Sequence, residues 1–384
     1  MASCADQGIG VNSAPIAFFL PSLRGGGAER VIVNLALGIS ERGLPVDLVL
    51  AAAEGAFLGQ LPANIRVVDL RASRVLRSVV PLAGYLRRER PRIIISSMSH
   101  ANLAALWSAR LAGRGTPVMV TVHTTLSRAV GQQGRLTRSL APHLRRIFYP
   151  WAACMVAVSR GVADDFARTS GLPRDKVEVV YNPVITPATL TRARQAPDHP
   201  WLGPGEPPVI LGVGRLSPAK DFPTLIRAFA AVRQRRHARL IILGEGEERT
   251  SLTALVQELG ITEDVALPGF HDNALAYMGR SALFVLSSAW EGLPTVLIEA
   301  LAAGARVVST DCHSGPREIL QEGRLGTLVP VGDAAALANA MIYALERPST
   351  TVPRDALLPF TMQAAVDNYL RLIESTEMSG NRAG

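Results

Sequence analysis

The chain has 384 residues with 33 glycines and 26 prolines, and 48% of its residues are hydrophobic. This composition excludes a disordered or fibrous protein, and the length predicts two domains of about 150–200 residues, each with a sizeable core. The formal net charge is +8, and residues 1–182 carry all of the basic excess because they hold 22 basic and 11 acidic side chains.

The three cysteines, Cys4, Cys154 and Cys312, are odd in number and far apart. They fit neither a disulfide framework nor zinc-ligand spacing, which indicates a reducing compartment. The first dozen residues contain no Lys or Arg, and the longest nearly apolar run, residues 147–158, is far shorter than the ~18 residues of a membrane-spanning helix. We therefore expect a cytoplasmic protein without a secretion signal or a transmembrane anchor.

Short apolar runs alternate with amphipathic segments along the chain. In the first half, the predicted strands cover residues 16–20, 46–51, 93–97, 118–123 and 155–158, and the predicted helices cover residues 28–41, 76–89, 101–111 and 161–168. In the second half, the predicted strands cover residues 209–213, 240–243, 265–267, 283–286 and 307–309. Such alternation is typical of parallel sheets covered by helices on both faces.

The predicted fold class is therefore α/β, with two doubly wound domains. The first covers residues 1–182 and the second covers residues 208–355, and a proline-rich linker covers residues 183–207. Residues 356–384 hold a closing helix and a tail, and we consider that this helix crosses back to the first domain. Ligands of such sheets bind at the carboxyl ends of the strands, often against helix N-termini.

A glycine-rich motif, Gly25–Arg30, follows the first predicted strand and opens the first helix. Its three glycines let the backbone approach a ligand closely, and a helix N-terminus favours an anion. The motif is neither a dinucleotide-binding GxGxxG nor a P-loop. We favour a phosphate or sugar contact, and a plain tight turn is the alternative.

His123 ends a predicted strand of the first domain and is followed by Thr124 and Thr125. A histidine at this end of a strand is a binding-site candidate, and a purely structural histidine is an equal alternative. Gly269 and Phe270 likewise follow a predicted strand of the second domain, although this signal is weak by itself.

Two cations stand on the loop after the first strand of the second domain. Arg215 follows Gly214, and Lys220, one of only two lysines in the chain, precedes Asp221 near a helix start. Two cations beside a helix N-terminus suit a diphosphate. The alternative is a solvated charged loop.

Two acids, Glu291 and Glu299, bracket a predicted helix start at Pro294. Glu291 would lie in the loop, whereas Glu299 lies among apolar neighbours. A buried carboxylate needs a hydrogen-bonding partner, which ribose hydroxyls could supply. The alternative is a pair of surface acids.

These motifs together resemble the retaining glycosyltransferases of family 4, which have the GT-B architecture of two Rossmann-like domains facing a central cleft. The resemblance covers roughly Pro15 to Glu374, and its most specific element is Glu291 to Glu299, which matches the family's Glu-x7-Glu. The supporting motifs are Gly25–Arg30, Ala157-Val158-Ser159, Tyr181-Asn182-Pro183, Gly214-Arg215 and Lys220-Asp221.

The resemblance implies a role for each motif residue. Arg215 and Lys220 hold the diphosphate of a nucleotide-sugar donor, Glu299 binds its ribose hydroxyls, and Phe270 lies near the base. Glu291 lies beside the transferred sugar, as a nucleophile or as an orienting group, and His123 faces the sugar and the acceptor. The implied backbone contacts with the donor come from Gly26, Gly27, Gly214, Gly292, Leu293, Pro294, Thr295 and Val296.

The implied reaction breaks a sugar–diphosphate bond with retention of configuration, and its main requirement is stabilisation of the leaving diphosphate. No Asp-x-Asp cluster follows a predicted strand, so we expect neither a metal nor another cofactor. The segment from Asp311 to Glu318 looks like that of family members making bacterial cell-surface glycans, which suggests a UDP-linked hexose or N-acetylhexosamine as donor.

The acceptor prediction depends on an acid-free stretch. Residues 90–163 contain ten arginines and no Asp or Glu. Within it, Arg135, Arg138, Arg145 and Arg146 interleave with apolar residues, as in helices that lie on anionic membranes. We therefore expect peripheral binding to the inner face of the plasma membrane and a polyprenyl-diphosphate-linked or other glycan acceptor. An ordinary amphipathic helix is the alternative.

Other functions stay open at this point. A transferase with a small soluble acceptor would make the basic excess incidental. A UDP-sugar 2-epimerase shares the architecture, but the Gly25–Arg30 and Glu-x7-Glu motifs argue against it, and a non-catalytic nucleotide-sugar or glycan-binding protein would be expected to lack some of them. Nucleic acid is not expected as a partner, because ten Phe, six Tyr and four Trp offer no clear stacking platform.

Overall fold

The structure is a computed structural model that describes residues 14–24, 26–113, 115–129, 143–347 and 352–381. Cys4, Gly25, Arg135 and Arg138 lie outside the described residues.

The first domain is a seven-stranded parallel sheet in the order β3-β2-β1-β4-β5-β6-β7. Its strands are β1 (Ile16–Leu20), β2 (Val46–Leu50), β3 (Ile65–Asp69), β4 (Ile93–Ser97), β5 (Val118–Val122), β6 (Cys154–Ala157) and β7 (Val177–Val179). Its helices are α1 (Gly27–Ser40), α2 (Val79–Glu89), α3 (Ser99–Ala112), α4 (Leu126–Ala129) and α5 (Arg160–Ser170). The central strands β1, β2, β4 and β5 are buried throughout because helices cover both faces of the sheet. Helix α6 (Pro187–Ala193) lies in the segment predicted as the linker.

The second domain is a six-stranded parallel sheet in the order β10-β9-β8-β11-β12-β13. Its strands are β8 (Val209–Val213), β9 (Arg239–Leu243), β10 (Val265–Gly269), β11 (Leu283–Leu286), β12 (Val307–Thr310) and β13 (Thr327–Val329). Its helices are α7 (Phe222–Arg235), α8 (Arg249–Glu258), α9 (Ala274–Arg280), α10 (Thr295–Ala302), α11 (Pro316–Ile319) and α12 (Ala334–Glu346). The two parallel sheets confirm the predicted α/β class with two doubly wound domains.

The chain ends with α13 (Arg354–Leu357) and α14 (Met362–Asn381). Helix α14 packs against α1, where a Cβ on Gly38 would lie only 2.7 Å from Cγ2 of Val366. The Arg92 guanidinium, which precedes β4, also donates two 2.8 Å hydrogen bonds to Glu377. The last helix therefore lies on the first domain. In the ranges given above, no helix combines the length and the apolar character needed to span a bilayer.

One detail of the predicted basic helix face is wrong. Residues 143–148 are helical, but Arg145 is buried, with 5% of its surface exposed. Burial lowers the pKa of this guanidinium, and Tyr149 and Asp165 oppose that effect. Arg145 therefore packs towards the domain interior, while Arg146 and Ile147 are exposed.

Candidate active site

The predicted site residues lie at the carboxyl ends of strands in both domains. Gly26 lies between β1 and α1, His123 follows β5, Gly214 follows β8, Phe270 follows β10, and Glu291 lies between β11 and α10. The two sheets therefore present these residues at the edges where ligands of parallel sheets bind.

Lys220 and Glu291 form the central ion pair of the second domain. The Lys220 Nζ atom lies 2.5 Å from Oε1 of Glu291, and both side chains are largely buried. The Ser288 hydroxyl donates to the same carboxylate oxygen at 2.7 Å. Gly214 leaves room for the lysine, because a Cβ there would lie 3.0 Å from Cε of Lys220. The sequence motifs did not indicate Ser288.

Arg215 lies apart from this pair. Its side chain is 75% exposed, and it contacts Glu247 at 3.2 Å. Two glycines on the loop after β9, Gly244 and Gly246, pack against the loop that carries Arg215. A Cβ on Gly244 would lie 1.9 Å from the Gly214 oxygen, and one on Gly246 would lie 2.2 Å from the Leu216 oxygen. Close packing against Gly244 and Gly246 therefore fixes the backbone of the loop that carries Arg215.

Glu299 lies in the second turn of α10. Its pKa is raised by burial, and Arg30 of α1 and Arg192 of α6 act against that rise. None of the residues that the structure describes forms a hydrogen bond or an ion pair with its carboxylate. Glu299 is half-buried, so its carboxylate can accept hydrogen bonds from ligand hydroxyls.

The His123 ring lies beside Thr121, with 3.1 Å between Nε2 and Oγ1. When the Thr121 hydroxyl donates to the Ser96 carbonyl at 3.0 Å, its oxygen accepts from the His123 ring, and Nε2 carries the ring hydrogen. The Nδ1 atom is then a bare acceptor, buried without a partner among the described residues. Burial lowers the pKa of His123 to about 4, so the ring is neutral near pH 7.

The loop that follows Glu291 passes directly against the first domain. A Cβ on Gly292 would lie 2.1 Å from the His123 oxygen, so this position requires glycine. Leu293 and Pro294 are buried, and Thr295 and Val296 begin α10. The first N–H groups of a helix lack intrahelical acceptors, which makes this turn suited to an anion.

The remaining predicted donor contacts are exposed. The Gly26 N–H donates to Oε2 of Glu29 at 2.8 Å and caps α1, while a Cβ on Gly27 would meet nothing within 4 Å. Phe270 is 72% exposed. The fold itself therefore places no tight packing requirement on Gly27 or Phe270.

Two family models match the chain in tandem. Residues 25–186 match the model described as Glycosyltransferase Family 4, and residues 196–355 match the one described as Glycosyl transferases group 1.

Two bacterial glycosyltransferases are among the relatives of this chain. The N-acetylgalactosamine-N,N'-diacetylbacillosaminyl-diphospho-undecaprenol 4-alpha-N-acetylgalactosaminyltransferase of Campylobacter jejuni is 29% identical over 346 residues, which cover 86% of this chain and 90% of the relative. The lipopolysaccharide core biosynthesis glycosyltransferase LpsE of Rhizobium meliloti is 28% identical, with 91% and 96% covered.

Among solved structures, Anabaena Alr3699/HepE in complex with UDP and glucose superposes with a TM-score of 0.75 at 22% identity. The match covers 94% of this chain and 100% of that chain. The tandem family matches, the relatives and the fold agree: the chain belongs to glycosyltransferase family 4 and has the GT-B fold.

Proposed function

We propose that the protein is a retaining glycosyltransferase that moves a hexose or N-acetylhexosamine from a UDP-linked donor to a membrane lipid-linked glycan. The observation that carries the donor side is the pair of acids spaced by eight residues. Glu291 is held by Lys220 at 2.5 Å, and the half-buried Glu299 forms no hydrogen bond or ion pair in the described part of the chain.

We propose that the donor diphosphate binds beside Lys220 and the first turn of α10. A diphosphate and Glu291 compete for the same ammonium, so donor binding exchanges one anionic partner of Lys220 for another. The ammonium and the helix N-terminus then oppose the negative charge that develops on the leaving group. Arg215 is exposed on a short loop and reaches the outer side of the same diphosphate.

The nucleoside binds on one side of the diphosphate, and the sugar binds on the other side. Ribose hydroxyls donate to Glu299, and the base lies near Phe270. The bare Nδ1 of His123 accepts a hydrogen bond from a hydroxyl of the sugar or of the acceptor, and Glu291 contacts the sugar. The name of the Campylobacter relative, which transfers N-acetylgalactosamine, supports an acetamido sugar, and the UDP and glucose bound by HepE support a UDP-linked hexose.

The acceptor is proposed to be lipid-linked because the same relative is named for a diphospho-undecaprenol substrate. A surface of suitable chemistry adjoins the first domain's carboxyl edge. Leu76 and Val80 are 57% and 70% exposed, and the exposed Arg71, Arg74 and Arg77 lie next to them in the chain. Apolar side chains among arginines favour an anionic bilayer, which would place the protein on the cytoplasmic face of the plasma membrane in polysaccharide, lipopolysaccharide or glycoprotein-glycan synthesis.

The test is incubation of the protein with a panel of radiolabelled nucleotide sugars and a bacterial lipid extract. Label in an organic-extractable product, lost in the Lys220→Ala variant, supports the proposal. Label only in a water-soluble product would instead establish a small soluble acceptor. No transfer from any donor of the panel would contradict the proposed activity.

A further inference from the structure

The two domains meet at a buried cluster of two hydroxyls and one carbonyl. The Ser159 hydroxyl at the start of α5 lies 2.9 Å from the Gly292 oxygen, and the Ser314 hydroxyl lies 2.7 Å from it. The two hydroxyl oxygens are 2.8 Å apart. Ser159 belongs to the first domain, whereas Gly292 and Ser314 belong to the second, so this cluster connects the domains.

The hydrogens of the cluster can be counted. Ser159 Oγ accepts the Val162 N–H at 3.1 Å as the N-cap of α5, so its own hydrogen is free to be donated. The three oxygen–oxygen contacts share only two hydroxyl hydrogens. Only one of these hydrogens can lie between the two serines, so the other is donated to the Gly292 carbonyl. Either serine alone can satisfy this carbonyl. Loss of both would leave a buried acceptor unpaired, which is the costly event.

Residues around this cluster also allow the two domains to pack closely. A Cβ on Gly161 would lie 2.8 Å from Oγ of Ser314. The Glu318 carboxylate of the second domain accepts the Arg160 N–H at 3.0 Å and the Tyr181 hydroxyl at 3.2 Å. Glu318 thus places a negative charge at the N-terminus of α5, where the helix dipole favours it.

We infer that Ser159 and Ser314 are positioning residues. Through the Gly292 carbonyl they set the orientation of the donor loop, which is the segment of residues 291–294 between β11 and α10. Gly292 directly follows Glu291 and lies two residues before Pro294, the N-cap of α10. Holding its carbonyl from the first domain orients the peptide between the sugar-contacting acid and the helix turn. The hydrogen bond from Ser159 therefore links the orientation of this loop to the contact between the two domains. This inference rests on the proposed role of that loop in donor binding.

A double-mutant cycle tests the inference. Ser159→Ala and Ser314→Ala are each expected to lower kcat about threefold, and the double variant about fiftyfold, because only the double variant leaves the carbonyl without a donor. The KM for the donor should change less than kcat. Ser170→Ala is the matched control, since that buried hydroxyl bonds only the Phe166 oxygen within α5. A double variant no slower than the product of the single effects would overturn the inference.

A structural readout separates this inference from the proposed activity. Small-angle scattering of the full chain should give a larger radius of gyration for the double variant and for Gly161→Ala than for the wild type. Gly84→Ala on α2 is the control, because a Cβ there would meet nothing within 4 Å. Equal radii for all variants would overturn the inference even if sugar transfer is confirmed. If no donor is used by the wild type, the proposed function fails and scattering still decides whether the cluster holds the domains.

Discussion

The Lys220 ammonium lies 2.5 Å from Oε1 of Glu291 across 71 residues of sequence. The pair joins the loop after β8 to the loop after β11, two neighbouring strands of the second sheet. Because the two groups neutralise each other, a diphosphate that displaces Glu291 from the lysine also frees the carboxylate for the sugar. One ion pair thus links the phosphate and sugar parts of the proposed donor site.

Removal of this lysine should abolish most activity. Lys220→Ala is expected to lower kcat by about 10²–10³-fold, because a preorganised charge at the leaving group is lost. The measurement is initial-rate transfer with circular dichroism to verify folding. Lys176→Ala is the matched control, since Lys176 is the only other lysine of the chain and is exposed on the first domain. A folded Lys220→Ala variant with wild-type turnover would refute the assignment.

Glu299→Gln should stabilise the protein while impairing donor binding. Burial raises the pKa of Glu299, so the folded state holds its proton more tightly than the unfolded state. Stability contributed by this group is present at low pH and is lost as the pH rises above the unfolded value near 4.5. Thermal unfolding at pH 4 and pH 8 should therefore show a gain for the variant chiefly at pH 8, and calorimetric titration should show weaker UDP binding. A lower Tm for the variant at pH 8 would contradict this explanation.

His123 should make the protein sensitive to acid. Its folded pKa is about 4 against a usual 6.5, so the unfolded state binds more protons between these values and stability falls as the pH decreases through them. Between pH 7 and pH 4.5 the loss should be about 2 kcal/mol. Urea unfolding of His123→Gln should lack this component.

His237→Gln provides the comparison for that experiment, because His237 is 62% exposed at its side chain. This variant should keep the loss of stability in acid that is assigned to His123. Identical profiles for His123→Gln and the wild type would show that the ring is not held neutral by burial.

The exposed apolar side chains of Leu76, just before α2, and of Val80, in its first turn, should contribute to membrane binding. The double variant Leu76→Gln with Val80→Gln is expected to lower the fraction that floats with anionic liposomes, by about tenfold in binding constant, because each apolar side chain loses its transfer energy. Leu358→Gln, at a leucine 59% exposed elsewhere in the chain, is the control. If flotation does not change with anionic lipid, salt or these substitutions, the proposed membrane-binding surface is contradicted.

The sequence predicted the central strands well and the edge strands poorly. β1, β4, β8 and β11 occupy the predicted residues, because strands buried on both faces are continuous apolar runs. Among the four edge strands, β10 was predicted over residues 265–267, whereas β3, β7 and β13 were not predicted. Arg66 and Asp69 in β3 and Glu178 in β7 are exposed, and such polar residues hide the apolar pattern of an edge strand.

The candidate site was predictable as a set of residues but not as a set of contacts. The spacing of Glu291 and Glu299 and the placement of Lys220 after a strand are local features that one segment can show. The pairing of Arg215 with Glu247, and of Ser288 with Glu291, depends on how separate loops pack. Arg145 shows the same limit, since its helical spacing did not reveal that it faces inward.

The amino-acid sequence by itself determined the α/β class and the two doubly wound domains and indicated the candidate donor-binding residues, because periodicity, glycine placement and charge act over a few neighbouring residues. Only the tertiary structure decided that the Ser159 hydroxyl meets the Gly292 carbonyl, 133 residues away, and that Gly292 must be glycine because of the His123 oxygen. These contacts arise where the two separate sheets and their loops meet, and no local pattern within either segment encodes that contact.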